Sequence, residues 1–330
     1  MSISEIHVEG SHNKETEHAV LSPKWGTLEA HDANEQAHNL KGWQQHFDQI
    51  SHGAFYGRID EVSFKGIHSF KEHTNQGIHQ HCSVAPDSLW LGLPAENSSC
   101  RINGQQVDQN SLMLRQGNTE FELVTPQDFT IYGIVIDRQL LQQAAEHNHV
   151  NVTLKNFNTP IQNLSVDNLN QLRQQLERII NAHNQHISTQ SDHHRLVMML
   201  LSIFETTQPK HGPSNSLNKR RQVVKTVIDY VQSHPEFPAN IEQLCQIAHV
   251  SRRTLQYSFE QVLGTSPLRY LRAVRLNQVR RKIQQGLNEN DTITSLAQHH
   301  GFWHSGQFSH DYTQLFGENP SETRQQMLSL

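Results

Sequence analysis

A duplication near the C-terminus constrains the fold more than any other feature. The stretch "IEQLCQIAHVSRRTLQYSFEQVLGTSP" (241–267) returns in altered form as "ITSLAQHHGFWHSGQFSHDYTQLFGENP" (293–320). Leu255, Phe259, Val262, Gly264 and Pro267 recur 53 residues later as Phe308, Tyr312, Leu315, Gly317 and Pro320. Ile241, Leu244 and Cys245 recur 52 residues later as Ile293, Leu296 and Ala297. The one-residue slip falls in a turn, where an insertion costs little, so one unit is built twice.

Each unit reads as a short helix, a tight turn and a second helix. In the first, Ile241, Leu244, Cys245 and Ala248 form an apolar stripe, and Ser251 caps a helix that turns Leu255, Phe259 and Val262 inward. In the second, Asp291 or Thr292 opens a helix through Ile293, Leu296 and Ala297. Gly301 closes it in the left-handed conformation that suits glycine, and Phe308, Tyr312 and Leu315 face inward. After the units, "TSPLRYL" and "ENPSETR" start further helices, with Ser or Asn as cap and Pro in the first turn.

Two short helices joined by a turn of about four residues make a helix-turn-helix, whose second helix enters the DNA major groove. The side chains left outside should then be able to read base edges. They are Ser251, Arg252, Arg253, Gln256 and Tyr257 in the first unit, and His304, Ser305, Gln307, Ser309 and His310 in the second. Arg pairs bidentately with guanine and Gln with adenine. Between the units, Leu276, Val279 and Ile283 mark the apolar face of a connecting helix. That helix also carries Arg269, Arg272, Arg275, Arg280, Arg281 and Lys282, candidates for phosphate contacts. It would hold the reading helices about 34 Å apart, one turn of DNA. Ser305 and Asp311 do not form a hydrolase triad with a histidine, because helical phase puts them on different faces and no oxyanion-hole turn is near. No catalytic residue is assigned.

Charge is distributed unevenly. Residues 219–330 hold 13 Lys and Arg against 9 Asp and Glu, a net +4, whereas residues 1–218 hold 14 against 23, a net −9. A basic module joined to an acidic one agrees with nucleic-acid binding by one half. The three cysteines, Cys82, Cys100 and Cys245, are scattered and make neither a disulfide framework nor a zinc ribbon, which fits a cytoplasmic setting. No apolar run is long enough to span a membrane, and the N-terminus has neither the basic start nor the apolar core of a secretory signal.

The clearest break is "TTQPKHGPSNSLNKR" (206–220). The expected division is a flexible arm over 1–40, a sensor domain over 41–207, a linker over 208–218 and a DNA-binding domain over 219–330. Before the break, "GRIDEVSF", "SLWLGLP", "TEFELV" and "FTIYGIVI" read as strands, and Asn103-Gly104 as a hairpin turn with both positions at positive φ. Short strands at this spacing predict a small antiparallel barrel or sandwich. Leu169, Leu172, Leu176, Ile179 and Ile180 share one face of a helix that either packs on the barrel or forms a homodimer seam, and "HRLVMMLLSIFE" is a second helix. The predicted fold class is α+β: an N-terminal small antiparallel β-barrel, cupin-like, with helices, then an all-α domain of two helix-turn-helix units on a linking helix.

With these residues in view, the last hundred residues resemble the DNA-binding domain of AraC/XylS-type bacterial transcription regulators, whose signature ends in a stretch like "GFWHSGQFSHDYTQLFGENPSETR". The resemblance places base-contacting helices at 252–262 and 304–315. The segments "LKGWQQHFDQISHGAFYGRIDEV", "SLWLGLPA" and "GNTEFELVTPQDFTIYGIVI" are similar to the sensor domain of ethanolamine-operon regulators within that family. The resemblance implies an activator of ethanolamine-utilisation genes that responds to ethanolamine with adenosylcobalamin as co-effector. It also implies double-stranded DNA and RNA polymerase as partners, no cofactor requirement for DNA binding, and no enzymatic activity. Alternatives are the same class of regulator with another small amine or a carboxylate as effector, a cupin-like metal-dependent enzyme fused to a DNA-binding domain, and a protein whose repeats bind other proteins.

An ammonium effector wants carboxylate and aromatic neighbours. Trp43, Trp90, Glu120 and Glu122 are the candidates; the plain alternative has the glutamates facing solvent and Trp90 packing the barrel. In "HTNQGIHQHC", His79 and His81 share one face of a strand, but "CSVAPD" follows with no Glu in place, and a chain with 24 histidines makes chance pairs. No metal site is expected.

Overall fold

The computed structural model describes residues 23–95, 98–152, 159–184, 189–206, 208–209, 212–234, 239–287 and 291–328. The N-terminal half opens with β1 (Lys24–Ala30), α1 (Ala33–Asn39), β2 (Gln44–Gln49), β3 (Gly57–Phe64), β4 (Ile67–Thr74), β5 (Ile78–Ser83) and β6 (Ser88–Pro94). Then come β7 (Cys100–Ile102), β8 (Gln105–Val107), β9 (Ser111–Gln116), β10 (Phe121–Thr125), β11 (Phe129–Asp137), α2 (Arg138–His147), β12 (Ile161–Asn163), α3 (Val166–Ile180), α4 (Thr189–Thr206) and β13 (Gln208–Pro209). The C-terminal half is helical: α5 (Asn215–Ser233), α6 (Ile241–Ile247), α7 (Arg252–Leu263), α8 (Pro267–Gln284), α9 (Ile293–His299), α10 (Ser305–Phe316) and α11 (Pro320–Leu328).

The expected barrel takes the form of two antiparallel sheets. One runs β1-β3-β4-β11-β6-β9-β12-β13, the other β2-β5-β10-β7-β8. Side chains alternate across each strand, so each sheet sorts its residues into two faces. On the first sheet Leu89, Leu91, Tyr132 and Ile134 point outward, under a cover of α3 and α4 that includes Leu169, Leu172, Leu176 and Ile179. The α3 stripe is therefore spent on the sheet and does not form a dimer seam. Trp90, Phe70, Met113 and Ile131 point the other way and meet Phe47, Ile78, Cys82 and Phe121 of the second sheet in the central core. The Asn103-Gly104 hairpin forms as expected, with φ of 49° and 73° between β7 and β8.

Two boundaries differ from expectation. The arm expected over 1–40 contains β1 and α1; β1 pairs with β3 along its whole length, and Asp32 caps α1 by accepting from the backbone N–H of Asn34 and Glu35. Residues 1–22 lie outside the described residues. The expected linker ends inside a helix, because Ser214 caps α5, which packs on the C-terminal core through Leu217, Val224, Val227 and Val231.

The outer face of the second sheet docks on α8. Val124 of β10 joins the apolar core of the first helix-turn-helix unit. Tyr270 Oη lies 2.6 Å from His79 Nδ1. Asn277 pairs with the backbone of Gln49 in both directions, accepting from its N–H at 3.1 Å and donating to its carbonyl at 2.9 Å. Arg281 reaches Asp48 at 2.8 Å, and its guanidinium helps hold that fully buried carboxyl at about 2, against the upward push of burial. Arg280, 8% exposed, lies between Asp32 and Glu318 and over the Phe316 ring.

This placement corrects the expectation that Arg280 and Arg281 contact phosphate: both are committed to carboxylates of the protein. Removing one partner of a buried ion pair leaves an uncompensated charge, which costs about 3–5 kcal/mol. Arg280→Met is expected to destabilise the full chain by about that much, read from a denaturant melt. A loss within experimental error would place Asp32 and Glu318 in solvent instead.

Candidate nucleic-acid interface

Each helix-turn-helix unit is shaped by its own caps. Asn240 and Gln243 close a capping box on α6, Thr292 and Ser295 one on α9, and Ser251 accepts from Thr254 N–H at the start of α7. Both reading helices end on a left-handed glycine, Gly264 (φ 73°) after α7 and Gly317 (φ 76°) after α10. Inside, Leu255, Phe259 and Val262 are buried in the first unit, and Phe308, Tyr312 and Leu315 in the second. Every inward position read from the repeat is thus in a core.

The outward positions are as consistent. Ser251, Arg252, Arg253, Gln256 and Tyr257 are exposed, as are His304, Ser305, Gln307, Ser309 and His310. Some are occupied locally: Gln256 donates to Glu260 at 2.6 Å, Gln307 donates to Asp311 at 2.8 Å, and the Arg220 guanidinium lies over the Tyr257 ring at 4.6 Å. Arg252, Arg253 and the short polar side chains of α10 present donors and acceptors outward, as base reading requires. Among the cations of α8, Arg269 and Arg272 are exposed beside this surface, with Arg272 3.4 Å from Asp311. Sequence reading missed Trp303, which stands 63% exposed in the turn before α10. An exposed Trp in "GFWH" was the available signal.

The sensor candidates separate into two places. Trp43 and Trp90 lie together inside the sandwich: their rings are 5.7 Å apart and T-shaped, and Trp90 stacks on Phe121 at 4.9 Å. Glu120 is exposed, and Glu122 points from the outer face of β10 towards His79 and His81, away from the tryptophans. The carboxylate that does enter the interior is Glu72, which shares the inward face of β4 with Phe70 and is missed by the sequence reading. Burial pushes its carboxyl up to about 7, opposed by a 2.8 Å hydrogen bond from Gln36.

His79 and His81 follow one another on the outer face of β5, and the register puts Glu122 directly across from His81. The carboxylate that "CSVAPD" does not supply locally thus comes from a neighbouring strand. One ligand atom from each of the three residues lies within 4.8 Å of the others.

Two outcomes follow from this geometry. Arg253→Ala, or Gln307→Ala, should weaken binding to a specific site by about 1–3 kcal/mol and relax the base preference at one position, read by titrating matched and mismatched duplexes. Equal affinity of variant and parent for both duplexes would remove the residue from the reading set. For Glu72, the folded-state pKa lies above the usual 4.5, so its contribution to stability is full below pH 4.5 and is lost as pH rises through about 7. Glu72→Gln should therefore gain on the parent across that window, by about 3 kcal/mol above it. Parallel melts of the two proteins from pH 4.5 to 8 check this; a constant difference would rule it out.

Comparison with known proteins agrees with the helical half. Residues 244–326 match the family model described as a helix-turn-helix domain. The chain is 34% identical over 97 residues to "XylDLEGF operon transcriptional activator 2" of Pseudomonas putida, covering 29% of this chain and 62% of that one. It is 30% identical over 136 residues to "HTH-type transcriptional activator RhaS" of Pectobacterium carotovorum, covering 41% and 45%. Across the first such relatives the chain spans between 29% and 62% of their length. Among solved structures, an AraC-type regulator from Chromobacterium violaceum is 28% identical with a TM-score of 0.30, covering 32% of this chain and 91% of its own. ToxT from Vibrio cholerae is 13% identical with a TM-score of 0.32, covering 88% and 100%. The Pseudomonas and Pectobacterium proteins are named transcriptional activators, and the Chromobacterium protein a transcriptional regulator with an AraC-type DNA-binding domain. Residues 244–326 of this chain are a helix-turn-helix domain.

Proposed function

We propose that the whole chain is a sequence-specific, DNA-binding transcriptional activator of the cytoplasm, with an N-terminal half that senses a small molecule. Double-stranded DNA is its principal partner, with RNA polymerase the target of activation. The observation that carries this reading is the mechanical link between the halves: the second sheet has an aromatic interior on one face and bonds to α8 on the other. The loop after β2 also holds the second reading unit, since Gly53 N–H and Gln49 Nε2 both donate to the Leu315 carbonyl near the end of α10, at 3.1 and 2.6 Å. A ligand that prefers one arrangement of the sheet would shift the placement of both reading helices by its difference in affinity for the two arrangements.

The proposed division keeps the sensor at 41–207, the linker at 208–218 and the DNA-binding domain at 219–330, with β1 and α1 added to the sensor and the start of α5 to the DNA-binding half. The proposed effector is ethanolamine, acting with adenosylcobalamin. Ethanolamine is a cation at neutral pH, and a cation is best held by a carboxylate and aromatic faces. Glu72, with Trp43, Phe70, Trp90 and Phe121, has that chemistry; Glu120 and Glu122, outside the sandwich, do not share it with the tryptophans.

The test is a titration of the purified full chain against DNA from its own upstream region, at fixed salt, with and without ethanolamine plus adenosylcobalamin. Tighter binding or an altered footprint with the pair is expected. If DNA binds specifically but neither compound changes binding or transcription, the ethanolamine assignment fails and the regulator remains. Absence of specific DNA binding would sink both.

A further inference from the structure

The outer face of the second sheet holds a group of side chains that DNA reading does not use. Three strands bring it together: β2, β5 and β10 align His46, His81 and Glu122 in one row, with Asp48, His79 and Val124 in the next. His79 is fully buried, and its Nε2 has no hydrogen-bond partner among the described residues. Glu122 Oε2 is 3.8 Å from that nitrogen, and Glu122 Oε1 is 3.8 Å from His81 Nδ1. Both separations are too long for hydrogen bonds. They are close to the spacing of two ligand atoms on one tetrahedral ion, about 3.4 Å for bonds of about 2.1 Å. A buried nitrogen without a partner, 3.8 Å from a carboxylate it does not touch, is what a small cation between them would account for.

We propose that His79, His81 and Glu122 bind one divalent transition-metal ion of the zinc class, His79 through Nε2 and His81 through Nδ1. Two imidazoles and one carboxylate are a donor set zinc accepts, with a fourth position left for water or a ligand. That position opens on a cleft of about 680 Å³ between the sheet and α5, into which His46, Glu120 and Arg221 also project. The cations across the cleft are not bare, since Arg221 faces Glu122 and Lys225 is paired with Asp229 at 2.9 Å.

The ion would reach α8 through a single hydrogen bond. Coordination through Nε2 requires the His79 proton on Nδ1, where it donates to Tyr270 Oη at 2.6 Å. Metal thereby fixes the tautomer of the residue that joins the sensor sheet to the helix between the two reading units. The site is independent of the effector's identity and lies on the outer face of the second sheet, away from the interior that Glu72 of the first sheet enters.

The experiment uses the full chain, stripped with a chelator and titrated with Co2+ as a spectroscopic probe and with Zn2+ in competition. Parent, His81→Ala and Glu122→Gln are compared, because other histidines will bind metal weakly in all three. The expected result is one tight site in the parent, with the visible absorption of tetrahedral Co2+, weakened at least tenfold in both variants. Zn2+ should also raise the melting temperature of the parent and not of the variants. Metal-free melts check that each variant folds; Glu122→Gln keeps the shape of its side chain, and His81 is partly exposed, so one suffices if the other fails. Equal stoichiometry, affinity and spectra in parent and folded variants would overturn the site.

Discussion

Burial of α8 is the constraint on which the rest of the molecule depends. This helix is covered by the second sheet on one side and by both helix-turn-helix cores on the others, with Tyr270, Leu271, Val274, Leu276, Val279 and Ile283 all buried. On a helix enclosed this way each buried polar group left without a partner costs about 1–3 kcal/mol. Three of its polar residues are matched by the sheet and its surroundings: Asn277 to the backbone of Gln49, Arg281 to Asp48, Arg280 to Asp32 and Glu318. Apolar contacts would tolerate sliding. These pairs tolerate one register, and so specify where the two reading units stand relative to the sheet.

The sheet between them works by strand alternation. Phe121 and Glu122 are neighbours in sequence, yet one faces an aromatic interior and the other a polar seam against the DNA-binding half. The same division separates Phe47 from Asp48 and Ile78 from His79. An event on the inner face reaches the outer one through the thickness of a single strand. Under the proposed function, this is how a ligand inside the sandwich would act on α8.

Periodicity made much of this legible in advance. The repeat identified both units, their caps and every buried position tested, because a 3.6-residue spacing decides which side chains a short amphipathic helix can bury. The strands "GRIDEVSF" and "SLWLGLP" coincide with β3 and β6. Partners distant in the chain were not legible. Arg280 and Arg281 look like any basic helix surface until Asp32 and Asp48 arrive from more than 230 residues away. Glu72 reads as a solvent-facing glutamate in a polar strand, and only the pairing of β4 with β11 and β3 turns it inward. The segment 24–40 looks too polar to fold alone, and it folds because β3 offers an edge and Arg280 meets Asp32.

The sequence by itself determined the local structure: two helix-turn-helix units, the polar side chains they leave exposed, and a sandwich of short strands before them. These follow from interactions within about a turn of helix or a hairpin. The tertiary structure alone decided which charges are available and which are spent, which carboxylate enters the aromatic interior, and that His79, His81 and Glu122 converge. Burial, ion pairing and metal-ligand geometry depend on distances in space between residues far apart in the chain, and no spacing along the sequence encodes them.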